Sequence, residues 1–390
     1  MSFSGIAQPD YAGGSIVNLM RSITDASGAA AHDYAPAQLL DTAELDGAAN
    51  IVLLVVDGMG LDFLERHGCG GAFYSHLRGA LTSVFPTTTA CAIPAFLTGL
   101  APQQHGLTGW YMYFDEIDRV AAVLPLTPRG GGAFGFAPGE LPRRLFSHSP
   151  LSARMQRHAH VLSPARISES AFNRFHTAGA ARWAYHTRDE LFARLADIVS
   201  AVGRKYVYAY FPTIDTLAHD HGIDSPQVVG VFKELDSAFA RFIERIRGSE
   251  TVVVVTADHG FIDSPPERLI ELDNHPRLAA MLLRPLCGEW RAAYAYVKPD
   301  CHAAFADYVA TELGHAAILF RSEELVELGW FGIGVEHPRL RARIGDFTLV
   351  MKDDWTIKDW LVEEKRYSQI GVHGGTSAAE TFVPLIVARV

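Results

Sequence analysis

Two runs of consecutive apolar residues mark the chain, Ile51-Val52-Leu53-Leu54-Val55-Val56 and Thr251-Val252-Val253-Val254-Val255-Thr256. Both have strand length, and because their apolar residues are consecutive (51–56, and 252–255 between two threonines) rather than alternate, they predict central parallel strands covered on both faces. Tyr206 to Phe211 reads as a third strand and Ala80 to Phe85 as a fourth. Between the strands the apolar period becomes helical. Thr187-Arg188-Asp189-Glu190 forms a capping box ahead of Leu191, Leu195, Ile198, Val199 and Val202. Ser225-Pro226 supplies the cap and first-turn proline of a helix whose buried stripe is Val229, Phe232, Leu235, Phe239, Phe242 and Ile246. Shorter helices are predicted over residues 15–24 and 90–100, the second closed by Thr98-Gly99. The Ala-, Gly- and Pro-rich stretch from the end of the 15–24 helix to Asn50 has no strong period and reads as packing and connection.

Strand, helix, strand, helix, strand at this spacing predicts an α/β fold, a mostly parallel central sheet covered by helices on both faces. Between residues 264 and 366 the pattern restarts, with strands over 292–298, 316–321 and 347–352, a helix over 302–313 and another capped by Ser322. That predicts an inserted α/β cap subdomain, 264–366, in a core formed by 1–263 and 367–390, with 381–390 returning as the last core strand. A loop over 127–144 is dense in Gly and Pro, and Gly130-Gly131-Gly132-Ala133-Phe134-Gly135 has the form G-x-G-x-x-G. No long apolar strand leads into it, and Ala137-Pro138-Gly139 stands where a helix should run. It is therefore expected to be a substrate-facing loop, not a dinucleotide turn.

Composition narrows the function classes. Of 390 residues 48% are hydrophobic and 20% charged, as in a soluble globular protein. The net charge of -10, with no Lys/Arg block, argues against a groove that tracks a nucleic-acid polymer. Small phosphate compounds stay compatible, because a bound cation reverses the local field. Apolar runs of strand length are too short to span a membrane, and residues 1–14 have neither basic residues nor an apolar core of the kind a signal peptide needs, so a cytoplasmic location is expected. Cys69, Cys91, Cys287 and Cys301 form no CxxC pair and read as reduced thiols without a role.

The candidate chemistry gathers at strand ends. Asp57 follows the first strand, Asp215 with His219 follows 206–211, and Asp258-His259 follows 251–256. In open α/β sheets ligands bind at the carboxyl ends of the strands, so these groups should converge. Asp215 and His219 are four apart, which lets both reach one ion from a helix. Each has a plainer reading, since a lone Asp after a strand commonly caps a helix or turn and His373 between glycines could be only a loop histidine. The shared placement favours a site. Phe85-Pro86-Thr87-Thr88-Thr89-Ala90 breaks an apolar run and delivers three threonines to a helix start. A threonine hydroxyl needs a base or metal to become a nucleophile, and these residues alone do not choose among the three. His105 and His221 read as structural or supporting histidines.

Val56-Asp57-Gly58, Phe85-Pro86-Thr87-Thr88-Thr89 with Thr98-Gly99-Leu100 and His105-Gly106, Asp215 with His219, Asp258-His259-Gly260 and His373-Gly374-Gly375 together resemble the alkaline phosphatase superfamily. The nearest branch is the nucleotide pyrophosphatase/phosphodiesterase group. The resemblance runs through the whole core in family order. It implies an alkaline-phosphatase-like core that places Asp215, His219 and His373 on one metal ion and Asp57, Asp258, His259 and the Thr89 hydroxyl on another. By the family's spacing the nucleophile is Thr89, with Thr88 second.

Two positions depart from the pattern. Ala90 follows the nucleophile where the phosphodiesterase branch usually has an aromatic residue, leaving a backbone N–H for substrate, and Trp110 falls where an asparagine usually donates to the phosphoryl oxygen. An indole offers one N–H in place of an amide. The expectation is a hydrolase with two divalent ions, Zn²⁺ first and Mn²⁺ second. It would cleave the phosphodiester or pyrophosphate bond of a small phosphate ester, nucleotides included, through a phospho-threonine. A phosphomonoesterase or phosphonate hydrolase is the alternative on the same core, and a catalytically silent metal-binding module is the alternative of another class.

Overall fold

The computed structural model describes residues 5–29, 33–137 and 139–390. Residues 1–4, 30–32 of the connecting stretch and Pro138 of the Gly/Pro-rich loop lie outside the described residues. The central sheet has seven strands in the order Leu77–Thr82, Phe382–Arg389, Thr251–Thr256, Asn50–Val56, Lys205–Phe211, His158–Pro164 and Ala181–Tyr185. Phe382–Arg389 runs antiparallel to both its neighbours, and the remaining pairs are parallel. Every residue of Asn50–Val56 and Thr251–Thr256 is buried. Alternate side chains point to opposite faces, so total burial means cover on both sides, as the unbroken apolar runs require.

The register decides where the site forms. Val56 pairs with Phe211 and Val55 with Thr256, so the three strands end level and release Asp57, Pro212 and Ala257 side by side. Ser15, Thr187 and Ser225 cap the helices Ile16–Ala26, Arg188–Ser200 and Pro226–Arg245 through side-chain oxygens.

Several local expectations shift. The 80–85 strand is Leu77–Thr82, because Phe85 leaves the sheet to pack edge-on against Trp330 at 4.9 Å and beside Phe331 at 5.3 Å. Helix Arg188–Ser200 stops before Val202, which is fully exposed where Ala201 turns extended. Val228 rather than Val229 is buried in the next helix. The helix expected over 302–313 is α-helical over His302–Tyr308 and widens to a π turn over Val309–Leu313. Arg321, not Ser322, stands at the next N-cap, since the Ser322 hydroxyl donates to Ile344 O at 2.9 Å.

A second seven-stranded, antiparallel sheet runs Ala317–Arg321, Phe347–Met351, Ala292–Ala295, Cys287–Gly288, Tyr111–Phe114, Arg119–Ala122 and Thr127–Pro128. Strands from 111–128 thus complete a sheet whose other members fall within 264–366. An ion pair ties this sheet to the core. Arg291 Nη2 and Nε lie 2.9 and 3.1 Å from the two Glu380 oxygens, and both side chains are fully buried. Removing either partner would leave the other charge without compensation, a loss of about 3–5 kcal/mol. Among the described residues no helix is long and apolar enough to cross a membrane.

Around the end of helix Ala171–His176 lies a buried cluster of imidazoles packed with Phe146 and Phe172. His148 Nε2 and His176 Nε2 are 2.8 Å apart, and His176 Nδ1 donates to Phe172 O at 2.9 Å. Burial holds His176 down to about 4, and burial with neighbouring positive charge holds His105 and His148 well below the usual range. Between pH 4 and 6.5 the unfolded chain binds the proton that folded His176 refuses. Stability is therefore complete above pH 6.5 and falls as the pH drops toward 4, by up to about 1.4 kcal/mol per pH unit for this group. Denaturant titrations across pH 4–7 are expected to show a shallower acid-side slope for His176→Phe than for the parent; an unchanged slope would contradict this account.

Candidate active site

Helix Thr213–His221 places Asp215 and His219 one turn apart, with His219 Nε2 3.4 Å from Asp215 Oδ1. Strand Gly371–Val372 delivers His373, whose Nε2 is 3.7 Å from the same oxygen. These three form one potential ligand set. Asp57, Asp258 and His259 form another, with His259 Nε2 3.4 Å from Asp57 Oδ1 and 3.5 Å from Asp258 Oδ2. Within each set the ligand atoms all lie within 4.8 Å of one another. The sets adjoin, since His259 Nε2 is 4.0 Å from Asp215 Oδ1. His221 is exposed and belongs to neither set; His105 is buried with Nε2 on Cys91 O at 3.2 Å.

Three backbone carbonyls orient the imidazoles. His219 Nδ1 meets Gly371 O at 2.9 Å, His373 Nδ1 meets Thr87 O at 3.1 Å and His259 Nδ1 meets Gly260 O at 3.1 Å. A carbonyl only accepts, so each Nδ1 carries the proton and each Nε2 turns a lone pair toward the carboxylates. Asp215 Oδ1 and Asp258 Oδ2, one in each set, are buried without a hydrogen-bond partner. Burial, then the charges of Asp215 and Asp258, push the Asp57 carboxyl well above the usual carboxylate range. Tyr210 donates its hydroxyl to Asp57 Oδ2. Orphaned carboxylate oxygens and imidazole lone pairs, with no thiolate, fit a divalent cation in each set.

Close backbone approach accounts for the glycine after His259. A Cβ on Gly260 would lie 1.9 Å from Ala379 O, and Gly260 N donates to Glu380 O at 2.8 Å. The 258–260 turn is thereby pressed against the segment that follows His373.

The three threonines have different surroundings. Thr87 Oγ1 donates to Gly375 O at 2.9 Å and accepts from Gly374 N at 3.2 Å, so it holds the His373 loop. Thr88 is the N-cap of helix Thr89–Thr98. Thr89 Oγ1 lies 3.1 Å from His259 Nε2 and 3.4 Å from Asp57 Oδ1, against the second set. Cys91 N and Ala92 N donate to Thr88 O, and the N–H groups of Thr89 and Ala90 have no acceptor within the helix. Ala90 itself is buried and lines neither cavity at the site.

Two cavities meet here, of about 330 and 460 Å³, and Thr89, Trp110 and Asp215 line both. The smaller continues over His219 and His373 to Glu289, Trp290 and Tyr367. The larger runs past Asp57 and Tyr210 to Arg166, an exposed side chain with no ion-pair partner among the described residues. Glycines 130, 131 and 135 are not on either wall. Gly132, Ala133 and Gly135 line a separate cavity, while Leu124 and Pro125 reach the larger one, so the expected substrate-facing loop is displaced from the nucleophile. Arg129 ties this loop to the segment after strand Thr356–Lys358 through ion pairs with Asp359 and Glu364.

Glu289, Arg166 and Tyr210 carry no motif and were not among the residues expected from the sequence. Glu289 lies in the turn between Cys287–Gly288 and Ala292–Ala295, where its Oε1 accepts from Trp110 N at 2.6 Å; burial pushes its carboxyl up to about 7.

Similarity to known proteins agrees with this geometry. The description "Type I phosphodiesterase / nucleotide pyrophosphatase" matches residues 51–376. An uncharacterized pyrophosphatase/phosphodiesterase of Schizosaccharomyces pombe is 25% identical over 190 residues, 46% of this chain and 38% of that relative, so the chain aligns with well under two thirds of the relative's length. Among solved structures, murine ectonucleotide pyrophosphatase/phosphodiesterase 5, as an inactive variant in complex with AMP, superposes with a TM-score of 0.62 at 18% identity, covering 86% of this chain and 87% of that one. Phosphonoacetate hydrolase from Sinorhizobium meliloti, in complex with phosphonoformate, superposes with a TM-score of 0.63 at 16% identity, covering 87% and 89%. Matched over most of its length and carrying the paired ligand sets in one cleft, the chain belongs to the type I phosphodiesterase/nucleotide pyrophosphatase family of the alkaline phosphatase superfamily.

Proposed function

We propose that this protein hydrolyses small phosphodiesters or nucleotide pyrophosphates through a phospho-threonine at Thr89. The carrying observation is that two cavities of different lining meet at that hydroxyl. A diester has an arm on each side of phosphorus, and each cavity can take one. The relative from fission yeast, named as a pyrophosphatase/phosphodiesterase, and the AMP complex of the murine protein support the same substrate class.

Asp215, His219 and His373 would hold one cation, and Asp57, Asp258 and His259 the other beside Thr89 Oγ1. When bound, two such ions supply Lewis-acid stabilisation to the attacking and leaving oxygens of an in-line displacement. Zn²⁺ fits the mixed carboxylate and imidazole donors, with Mn²⁺ as the substitute. Thr89 Oγ1 loses its proton and bonds to phosphorus as the bond to one ester oxygen breaks. The free N–H groups of Thr89 and Ala90, at the positive end of a ten-residue helix, face the phosphoryl oxygens. Water then breaks the phospho-threonine bond, restoring the hydroxyl and releasing a monoester. Tyr210 holds Asp57 in orientation throughout. Residues 264–366 act as the cap over this chemistry, together with strands 111–128.

Arg166 favours a second reading. A free guanidinium on the larger cavity would offset the extra charge of a monoester or phosphonate.

Three outcomes test the proposal. Metal-free protein should take up two equivalents of Zn²⁺ by calorimetry with a rise in Tm, and His373→Ala should take up one; no uptake, or no change in stoichiometry, would remove the two-ion reading. Thr89→Ala should lose on the order of 10³-fold or more in kcat, and acid-quenched parent protein should show a phosphorylated Thr89 peptide by mass spectrometry. Bis-p-nitrophenyl phosphate should be cleaved faster than p-nitrophenyl phosphate. The reverse preference would favour the second reading, and metal-replete protein inert on both would favour a silent module.

A further inference from the structure

The helix that carries the nucleophile starts without a side-chain cap. Among the described residues Ser15, Ser170, Thr187, Ser225 and Ser377 stand at helix N-caps, and each accepts a hydrogen bond from a backbone N–H of its own first turn. Thr88 stands at the same position of helix Thr89–Thr98, with the extended backbone such a cap requires, and makes no such bond. A capping hydroxyl ordinarily takes the N–H of the second or third helical residue, here Ala90 or Cys91. Cys91 N donates to Thr88 O at 3.0 Å instead, while the N–H groups of Thr89 and Ala90 have no acceptor among the described residues.

The Thr88 hydroxyl is drawn to Glu289, which lines the same cavity. Burial pushes the Glu289 carboxyl up to about 7, and a hydrogen bond from the Thr88 hydroxyl opposes that effect. Glu289 Oε1 also accepts from Trp110 N at 2.6 Å. Two glycines admit the turn that carries this side chain. A Cβ on Gly109 would lie 2.7 Å from Gly288 Cα, and a Cβ on Gly374, next to His373, would lie 2.7 Å from Glu289 Cβ. The carboxylate is thus fixed from two sides independently of Thr88, so it can set the orientation of that hydroxyl. By its charge alone a carboxylate beside a phosphoryl site opposes binding, and its presence here calls for a compensating role.

We propose that Glu289 is a positioning residue that holds the Thr88 hydroxyl off the first turn of the nucleophile helix and so keeps the N–H groups of Thr89 and Ala90 open to the phosphoryl oxygens. Without it, Thr88 Oγ1 turns back to Ala90 N or Cys91 N, as the hydroxyls of the other caps do, and a phosphoryl oxygen must compete with a bond made within the protein. The inference rests on reading this helix start as the phosphoryl subsite, and not on which ester is cleaved.

The test titrates full-length, Zn²⁺-saturated protein with inorganic phosphate by calorimetry at pH 8.5, where the Glu289 carboxyl is ionised. Glu289→Ala is expected to weaken binding about tenfold, the size of one capping bond. Loss of a negative charge alone would strengthen binding, so the two accounts differ in sign. Adding Thr88→Ala removes the competing hydroxyl and is expected to restore the parent affinity or exceed it. Glu289→Gln, whose amide still engages Thr88 and Trp110 N, should bind phosphate at least as tightly as the parent. A crystal structure of Glu289→Ala should place Thr88 Oγ1 within hydrogen-bond distance of Ala90 N or Cys91 N. The inference is overturned by absence of phosphate binding in the parent, by unchanged or tighter binding in Glu289→Ala, or by failure of Thr88→Ala to restore it. A Glu289→Ala protein that takes up less Zn²⁺ than the parent, or keeps its Thr88 hydroxyl in place, overturns it as well. Phosphate affinities in the expected order uphold it even if bis-p-nitrophenyl phosphate is not hydrolysed, an outcome that would sink only the diesterase reading.

Discussion

Three buried or half-buried carboxylates, Asp57, Asp215 and Asp258, are gathered at one edge of the sheet, and their mutual repulsion is the constraint around which the molecule is built. Such a group of charges in a low-dielectric site costs free energy unless cations compensate it. The surrounding contacts serve this arrangement. Backbone carbonyls fix the protons of three imidazoles on Nδ1, and Tyr210 donates to Asp57. Gly260 lets the 258–260 turn press against the chain beyond His373. The two orphaned oxygens, Asp215 Oδ1 and Asp258 Oδ2, are the atoms that the proposed cations would satisfy.

The second sheet is coupled to this edge through contacts that lie next to the ligands. Glu380, paired with buried Arg291, also accepts from Gly375 N at 2.7 Å, two residues beyond His373. The same turn that carries Arg291 carries Glu289 and Trp290 onto the cavity wall. One buried ion pair thus fixes the wall of the smaller cavity relative to an imidazole ligand. A change of sequence in the 287–291 turn can alter what the cavity receives while the ligand sets stay in place.

The family pattern expected an asparagine where Trp110 stands, and the structure gives that residue a different setting. Its backbone N–H is committed to Glu289, and the residue lies where the two cavities join. Ala90, small and buried, contributes no side chain to either cavity. The cavity walls include residues from distant segments, Arg166 on one side and Glu289, Trp290 and Tyr367 on the other.

The linear chain determined the core elements and the ligands. Unbroken apolar runs at 51–56 and 252–255 define doubly covered strands because burial on both faces favours an apolar side chain at every interior position, and Asp57, Asp215, His219, Asp258, His259 and His373 belong to motifs that follow such strands or flank the last one. Local sequence was a poorer guide where tertiary contacts outweigh it. Phe85 abandons its strand for Trp330, Ser322 gives up a capping position for Ile344 O, and the glycine run at 130–135 lies away from the nucleophile. The family's spacing already favoured Thr89, but the physical reason that sets Thr87 apart came only with the folded chain, because it depends on a hydrogen bond to Gly375 from 288 residues away. The candidate ligand sets are local chemistry repeated at equivalent strand ends, so they were legible in the sequence by itself. Cavity shape, the exposure of Arg166 and the placing of Glu289 against Trp110 arise from segments far apart in the chain brought into contact, so only the tertiary structure decided them.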